Sequence, residues 1–195
     1  SAIGGGYEVA NSCRFNDGDG AYMHKTPGGA GNRRTFTFST WVKRGELGTN
    51  QKIFTAGANG TELQFDTSDS LLWYYYSDAY VGKYYAGSGS VSSVFRDCSA
   101  WMNIVLSVDT TQSTGSDRVK IYINGTEQTR TVTEIPEDTD VDYNNTSAHH
   151  VGKKSDSDAD YLDGYLAETV LIDGTQLAAT SFGEFDEDSP TIWKP

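Results

Sequence analysis

The sequence predicts a single all-β domain spanning residues 1–195, and three observations carry that reading. Apolar and polar residues alternate with period two in several runs rich in branched and aromatic side chains. Asn-Gly and Asp-Gly pairs separate those runs at close intervals. No long stretch has helical periodicity, so a sandwich or barrel is predicted over an α/β fold. All-β sandwiches commonly run to about 200 residues undivided, which fits one domain here.

The clearest strand is 34–44, where Phe36, Phe38 and Val42 share one parity and Trp41 interrupts the pattern. Further strands are predicted at 52–56, 61–66, 70–77, 80–86, 101–109, 118–123, 127–132, 148–151 and 165–172. Turns are expected at Asp17-Gly18, Asn59-Gly60, Asn124-Gly125, Asp163-Gly164 and Asp173-Gly174, because Asn, Asp and Gly tolerate positive φ. The Asn124-Gly125 pair, flanked by two β-prone arms, predicts a hairpin from 118 to 132. The one helix candidate is a short turn at 176–182. Segments 110–116, 134–146 and the acidic 184–188 read as solvated surface.

A formal charge of −12 and a pI near 4.5 oppose binding to nucleic acid or to an anionic membrane surface. No apolar run is long enough for a membrane span, and residues 1–6 lack the pattern of a signal peptide. Cys13 and Cys98 read as small buried apolar side chains or as one disulfide. His24, His149 and His150 read as neutral, partly exposed histidines.

The search for catalytic chemistry finds no residue set that supports an enzyme. Retaining glycosidases need two carboxylates about 5 Å apart, a spacing reached from alternate positions of one strand. None of the core strands shows that pattern; Asp156, Asp158 and Asp160 alternate, but their Ser and Ala neighbours mark a loop. No nucleophile elbow, phosphate-binding glycine loop or zinc helix is present. The run Asn16-Asp17-Gly18-Asp19-Gly20 resembles the opening of a calcium loop, but Gly28 stands where the closing glutamate belongs. Calcium therefore stays open, with no metal ligand assigned.

The densest signal is aromatic. Trp73, Tyr74, Tyr75, Tyr76, Tyr80, Tyr84 and Tyr85 place seven rings in thirteen residues on two neighbouring strands. Alternation sends Trp73 and Tyr75 to one face, Tyr74 and Tyr76 to the other, so some rings must reach the surface. Exposed Tyr and Trp suit stacking on sugar rings. The candidate carbohydrate site is Trp73, Tyr75, Tyr80 and Tyr84, with Asp78 and Lys83 as hydrogen-bonding neighbours. Asp97, Asn144 and Asn145 are further loop candidates.

The segment from Tyr161-Leu162-Asp163-Gly164-Tyr165-Leu166-Ala167-Glu168 to Asp173-Gly174, with Ile192-Trp193-Lys194-Pro195, resembles the close of laminin G-like, concanavalin A-like domains in marine bacteriophage and algal virus structural proteins. Phe36 to Arg44, Ala100 to Val105 and Val119 to Gly125 resemble the same family in the same order. The resemblance implies a concanavalin A-like jelly roll of two antiparallel sheets, displayed on a virion surface as part of a tail fibre or appendage. It also implies host surface glycans or polysaccharides as partners, and calcium in some members. The leading reading is a non-catalytic carbohydrate-binding attachment module. A structural or decoration subunit, contacting other virion proteins or its own copies, is second. A glycoside hydrolase is third.

Overall fold

The computed structural model describes residues 9–58 and 60–195. Residues 1–6, on which the signal-peptide reading rests, and Asn59 of one expected turn lie outside the described residues. In chain order the first strands are β1 (Cys13–Phe15), β2 (Met23–Lys25), β3 (Thr35–Arg44), β4 (Gln51–Ala56), β5 (Thr61–Phe65) and β6 (Leu71–Ser77). Next come β7 (Ala79–Ser88), β8 (Val91–Ser92), β9 (Met102–Asp109), the short helix α1 (Gly115–Arg118), β10 (Val119–Ile123) and β11 (Thr126–Glu127). The last are β12 (Thr129–Thr133), β13 (His149–Val151), β14 (Gly164–Asp173), β15 (Glu184–Phe185) and β16 (Trp193–Lys194).

Two antiparallel sheets form the sandwich. One runs β1-β14-β3-β9-β10-β11, and the other runs β12-β7-β6-β5-β4-β13-β2 with β8 beside β7. Their facing sides carry alternate apolar residues: Phe36, Phe38 and Val42 from β3, as the sequence predicts, together with Ile104 and Leu106 from β9, Leu63 from β5, Trp73 from β6 and Tyr84 from β7. Phe38 and Phe54 stack across the gap with centroids 4.7 Å apart. Each such side chain removed from water contributes about 1.5–3 kcal/mol.

Trp41 breaks the alternation because the back of the six-stranded sheet is buried too. The C-terminal segment folds over it, and Trp41, Val105, Ala167, Ala179 and Trp193 make a second apolar cluster. Trp193 Nε1 donates to Asn103 Oδ1 at 3.2 Å, and Thr37 Oγ1 donates to the Thr175 carbonyl at 2.7 Å. Gly125, at φ +77, leaves room that a Cβ would take from the Trp193 ring.

The structure departs from several expectations. The hairpin at Asn124-Gly125 forms, but only two residue pairs join β10 to β11. After Gln128 the chain crosses to the other sheet, where β12 pairs with β7. Segment 134–146 is no solvated loop, for Ile135, Val141 and Tyr143 are fully buried in the core. Tyr143 donates to the Phe54 carbonyl at 2.7 Å, and the Ile135 amide donates to Tyr84 Oη at 2.8 Å. The helix candidate at 176–182 is a single 3₁₀ turn, Ala179–Ser181. His149 and His150 are buried rather than partly exposed. The cysteines are free and half-buried, so no disulfide joins them.

Candidate functional site

Strand register decides which side chains share the outer face of the eight-stranded sheet, since directly paired residues point the same way. One row reads Arg130, Tyr85, Leu72, Gln64 and Lys52 from β12 to β4. The next reads Thr133, Lys83, Tyr74, Glu62, Thr55, His150 and His24 from β12 to β2. Tyr76 and Tyr80 pair beyond these rows, after a bulge.

Segment 152–163 covers the β4–β5 half of this face. Thr55 Oγ1 donates to the Lys153 carbonyl at 2.9 Å, and the Lys52 amide donates to the Asp160 carbonyl at 3.0 Å. Beneath it Lys52 Nζ meets Glu62 Oε2 at 2.5 Å and Asp160 Oδ2 at 3.5 Å, and also donates to Gln64 Oε1. Tyr74 Oη donates to Glu62, and burial together with the Glu62 charge holds the phenol far above the usual tyrosine range. Glu62 is 1% exposed, so a glycosidic bond outside the protein cannot reach this carboxylate. The alternating aspartates are ion-pair partners: Asp156 meets Lys154 at 3.2 Å, Asp158 meets Lys153 at 2.6 Å, and Asp160 meets Lys52.

Among the described residues the β6–β7 half carries no such cover. Tyr80 is 45% exposed and stands edge-on to both Tyr74 and Tyr76, each with its centroid 5.4 Å away. Lys83 Nζ lies 4.3 Å from the Tyr80 centroid, and the Arg130 guanidinium 5.7 Å from that of Tyr85. Asp78 occupies the exposed hairpin tip at φ +60, and its carbonyl accepts from Tyr76 Oη at 3.1 Å. Flat rings set at right angles, with two cations and a carboxylate at their margin, can stack on a ring and bond its hydroxyls.

The candidates from the sequence divide between the faces. Tyr80, Asp78 and Lys83 share the open one. Trp73 and Tyr84 do not: both are 0% exposed and pack against each other in the core, centroids 5.8 Å apart. Neither can stack on a sugar. Tyr75 pairs with Gly82 and packs against the core from the same inward parity. Tyr74, Tyr76, Tyr85 and Arg130 were missed, although Lys83 carried the signal: a lysine marks the outward parity, which Tyr85 shares.

The loop candidates serve turns. Asp97 accepts from the Ser99 amide and hydroxyl at 2.8 and 2.6 Å, which lowers its pKa. Asn144 Nδ2 donates to the Asn32 carbonyl at 2.9 Å, and Asn145 Oδ1 accepts from the Thr146 amide at 2.8 Å. In the calcium-like run, Asp17–Asp19 is a 3₁₀ turn. Burial and the nearby Asp17 raise the Asp163 pKa. Among the described residues no three His, Cys, Asp or Glu side chains come together as a metal site.

Two antiparallel sheets packed as a sandwich, with the chain crossing between them, place the protein in the class of jelly-roll domains. The chain belongs to the concanavalin A-like lectin/glucanases superfamily, whose Laminin_G_3 model matches residues 17–179. No curated protein matches the sequence. Among solved structures, a candidate carbohydrate binding protein from Bacteroides ovatus is similar with TM-score 0.53 and 15% identity, over 82% of this chain and 42% of that one. Botulinum neurotoxin type C, whose cell entry depends on interaction with two ganglioside molecules, gives TM-score 0.51 and 15% identity, over 77% of this chain and 35% of that one. This chain thus spans less than half the length of either.

Proposed function

We propose that this chain is a non-catalytic carbohydrate-binding module whose site is the open face of β6 and β7. The observation that carries the proposal is the grouping of Tyr74, Tyr76, Tyr80 and Tyr85 with Lys83 and Arg130 on one uncovered sheet face. Apolar ring faces beside hydrogen-bonding groups match the alternating apolar and hydroxyl surfaces of a sugar. The relatives support the same ligand class, since one is described as carbohydrate binding and the other by its gangliosides. We further propose that the domain acts at a virion surface on host glycans, in keeping with the resemblance of its closing segment to virus structural proteins. Multivalent display would compensate for a weak single site.

A glycan array probed with the purified domain tests this. Tyr80→Ala and Tyr76→Ala should each weaken binding about tenfold, the loss expected of one contacting ring. Binding that is absent, or indifferent to both changes, overturns the reading and favours an assembly subunit whose tyrosine face meets another protein.

A further inference from the structure

The covered half of the eight-stranded sheet holds a nucleophile that carbohydrate binding leaves unused. Lys52 on β4 and Gln64 on β5 are directly paired, and Glu62 stands two residues before Gln64 on the same face. Lys52 Nζ donates to Gln64 Oε1 and lies 2.5 Å from Glu62 Oε2, so one amine touches both a carboxamide and a carboxylate. Tyr74 Oη donates to the same Glu62 oxygen. Lys52, Glu62 and Gln64 are 3%, 1% and 7% exposed, and segment 152–163 lies over them.

These three side chains are the parts of an aminolysis: a nucleophile, an acyl carbon and a proton carrier. In water at neutral pH a lysine amine is an ammonium and does not attack an amide. Here the ammonium has a carboxylate to pass its proton to. Where water is excluded, a neutral amine beside a neutral acid avoids the cost of burying two charges. Strand pairing holds the amine against the carboxamide, and fixed geometry of this kind is worth an effective concentration on the order of 10⁵ M or more. Asp160 Oδ2, 3.5 Å from Nζ, is a second counter-charge for the ammonium. Glu62, nearer and held by Tyr74, is the carboxylate that takes the proton.

We propose that Lys52 and Gln64 join in an isopeptide bond that ties β4 to β5. Glu62 takes one proton from the Lys52 ammonium, and the freed Nζ lone pair attacks Gln64 Cδ. Glu62 returns that proton to Nε2 as the Cδ–Nε2 bond breaks and ammonia leaves. The further proton that Nζ sheds on becoming an amide goes to Glu62, which ends as a neutral acid. No oxidant or other reactant is consumed. A buried ion pair is thereby replaced by a neutral amide beside a neutral acid, which suits a site closed to water. The bond is independent of what the tyrosine face binds.

Protease mapping of the purified, unfolded chain with mass spectrometry tests this. Cleavage after Glu62 puts residues 52 and 64 in separate peptides, which should stay joined and weigh one ammonia less than the two together. Trypsin should leave the Lys52–Ile53 bond uncut in the parent and cut after residue 52 in Lys52→Arg. Glu62→Gln, which removes the proton carrier, should lower the linked fraction at least about tenfold, read as restored cutting after Lys52. Should that variant not fold, Glu62→Asp, which draws the carboxyl back by one methylene, should lower it in the same direction. Separate peptides from the parent, with trypsin cutting after Lys52, show a plain buried ion pair and overturn the proposal. Loss of water in place of ammonia, with residue 64 released free, puts the bond on Glu62 and overturns it too.

Discussion

The two halves of the outer face of the eight-stranded sheet use the same alternation and reach opposite ends. On β4 and β5 the outward residues Lys52, Glu62 and Gln64 lie under segment 152–163 and bond one another. On β6 and β7 the outward residues Tyr76, Tyr80, Lys83 and Tyr85 have no such cover among the described residues. Tyr74 joins them, its ring against Tyr80 and its hydroxyl on Glu62. A strand's own pattern fixes which side chains leave the core. The loop that arrives from elsewhere decides whether they stay outside.

Changes on the covered half should cost stability, and changes on the open half should cost binding. Glu62→Ala leaves buried Lys52 with the neutral Gln64 acceptor and a counter-charge only at Asp160, 3.5 Å away, and should destabilise by about 3–5 kcal/mol in urea unfolding. Trp73→Ala, on the inner face, should cost about 3–5 kcal/mol through the cavity it opens. Any loss of binding in that variant should follow loss of folded protein. Tyr74→Phe removes the hydroxyl that bonds Glu62 across the boundary and should cost about 1–3 kcal/mol, with the open rings still in place. Tyr80→Ala should stay within about 1 kcal/mol of the parent in stability, because its exposed ring fills no core space. A Tyr80→Ala variant that unfolds as readily as Glu62→Ala would break the comparison.

The smallest expected effect concerns pH. Burial lowers the pKa of His149 and His150 from 6.5. The His149 ring bonds the Ser147 carbonyl through Nδ1, and its Nε2 accepts from the Asn144 amide at 3.0 Å. Below pH 6.5 the unfolded chain takes up protons that the folded chain resists. Stability from these two residues is therefore complete above pH 6.5 and declines as the pH falls toward their lower folded values. Burial raises the pKa of Asp142 from 3.8, and this opposes the decline at more acid pH because the folded state there binds its proton first. Urea unfolding at pH 7.5 and 5.5 checks the sign, and His149→Gln should flatten the difference.

Much of the fold was legible because a half-buried strand writes its core face every second residue. Thr35–Arg44, Met102–Asp109 and Gly164–Asp173 lie within a residue or so of their expected bounds. The short strands β1, β2, β8, β15 and β16 were missed, for two or three residues hold too little pattern to show a period. Segment 134–146 misled because Ile135, Val141 and Tyr143 are spaced among acidic residues without periodicity, and their burial depends on distant partners such as Tyr84 and Phe54. The site was half legible. Parity separated Trp73 and Tyr75 from Tyr74 and Tyr76 correctly, but choosing the exposed set needed the charged neighbour Lys83 and the bulge that places Tyr80 opposite Tyr76.

The groove beside Trp41, about 410 Å³, is lined at once by Val9 to Ser12 and by Pro195. Both ends of the described chain thus emerge on the back of the six-stranded sheet, and Tyr80 sits on the far side of the sandwich. A bead, carrier protein or larger particle attached at Pro195 stands behind the domain, and the tyrosine face looks outward. Immobilised arrays of this domain can therefore be built through Pro195 without a spacer to turn the face around.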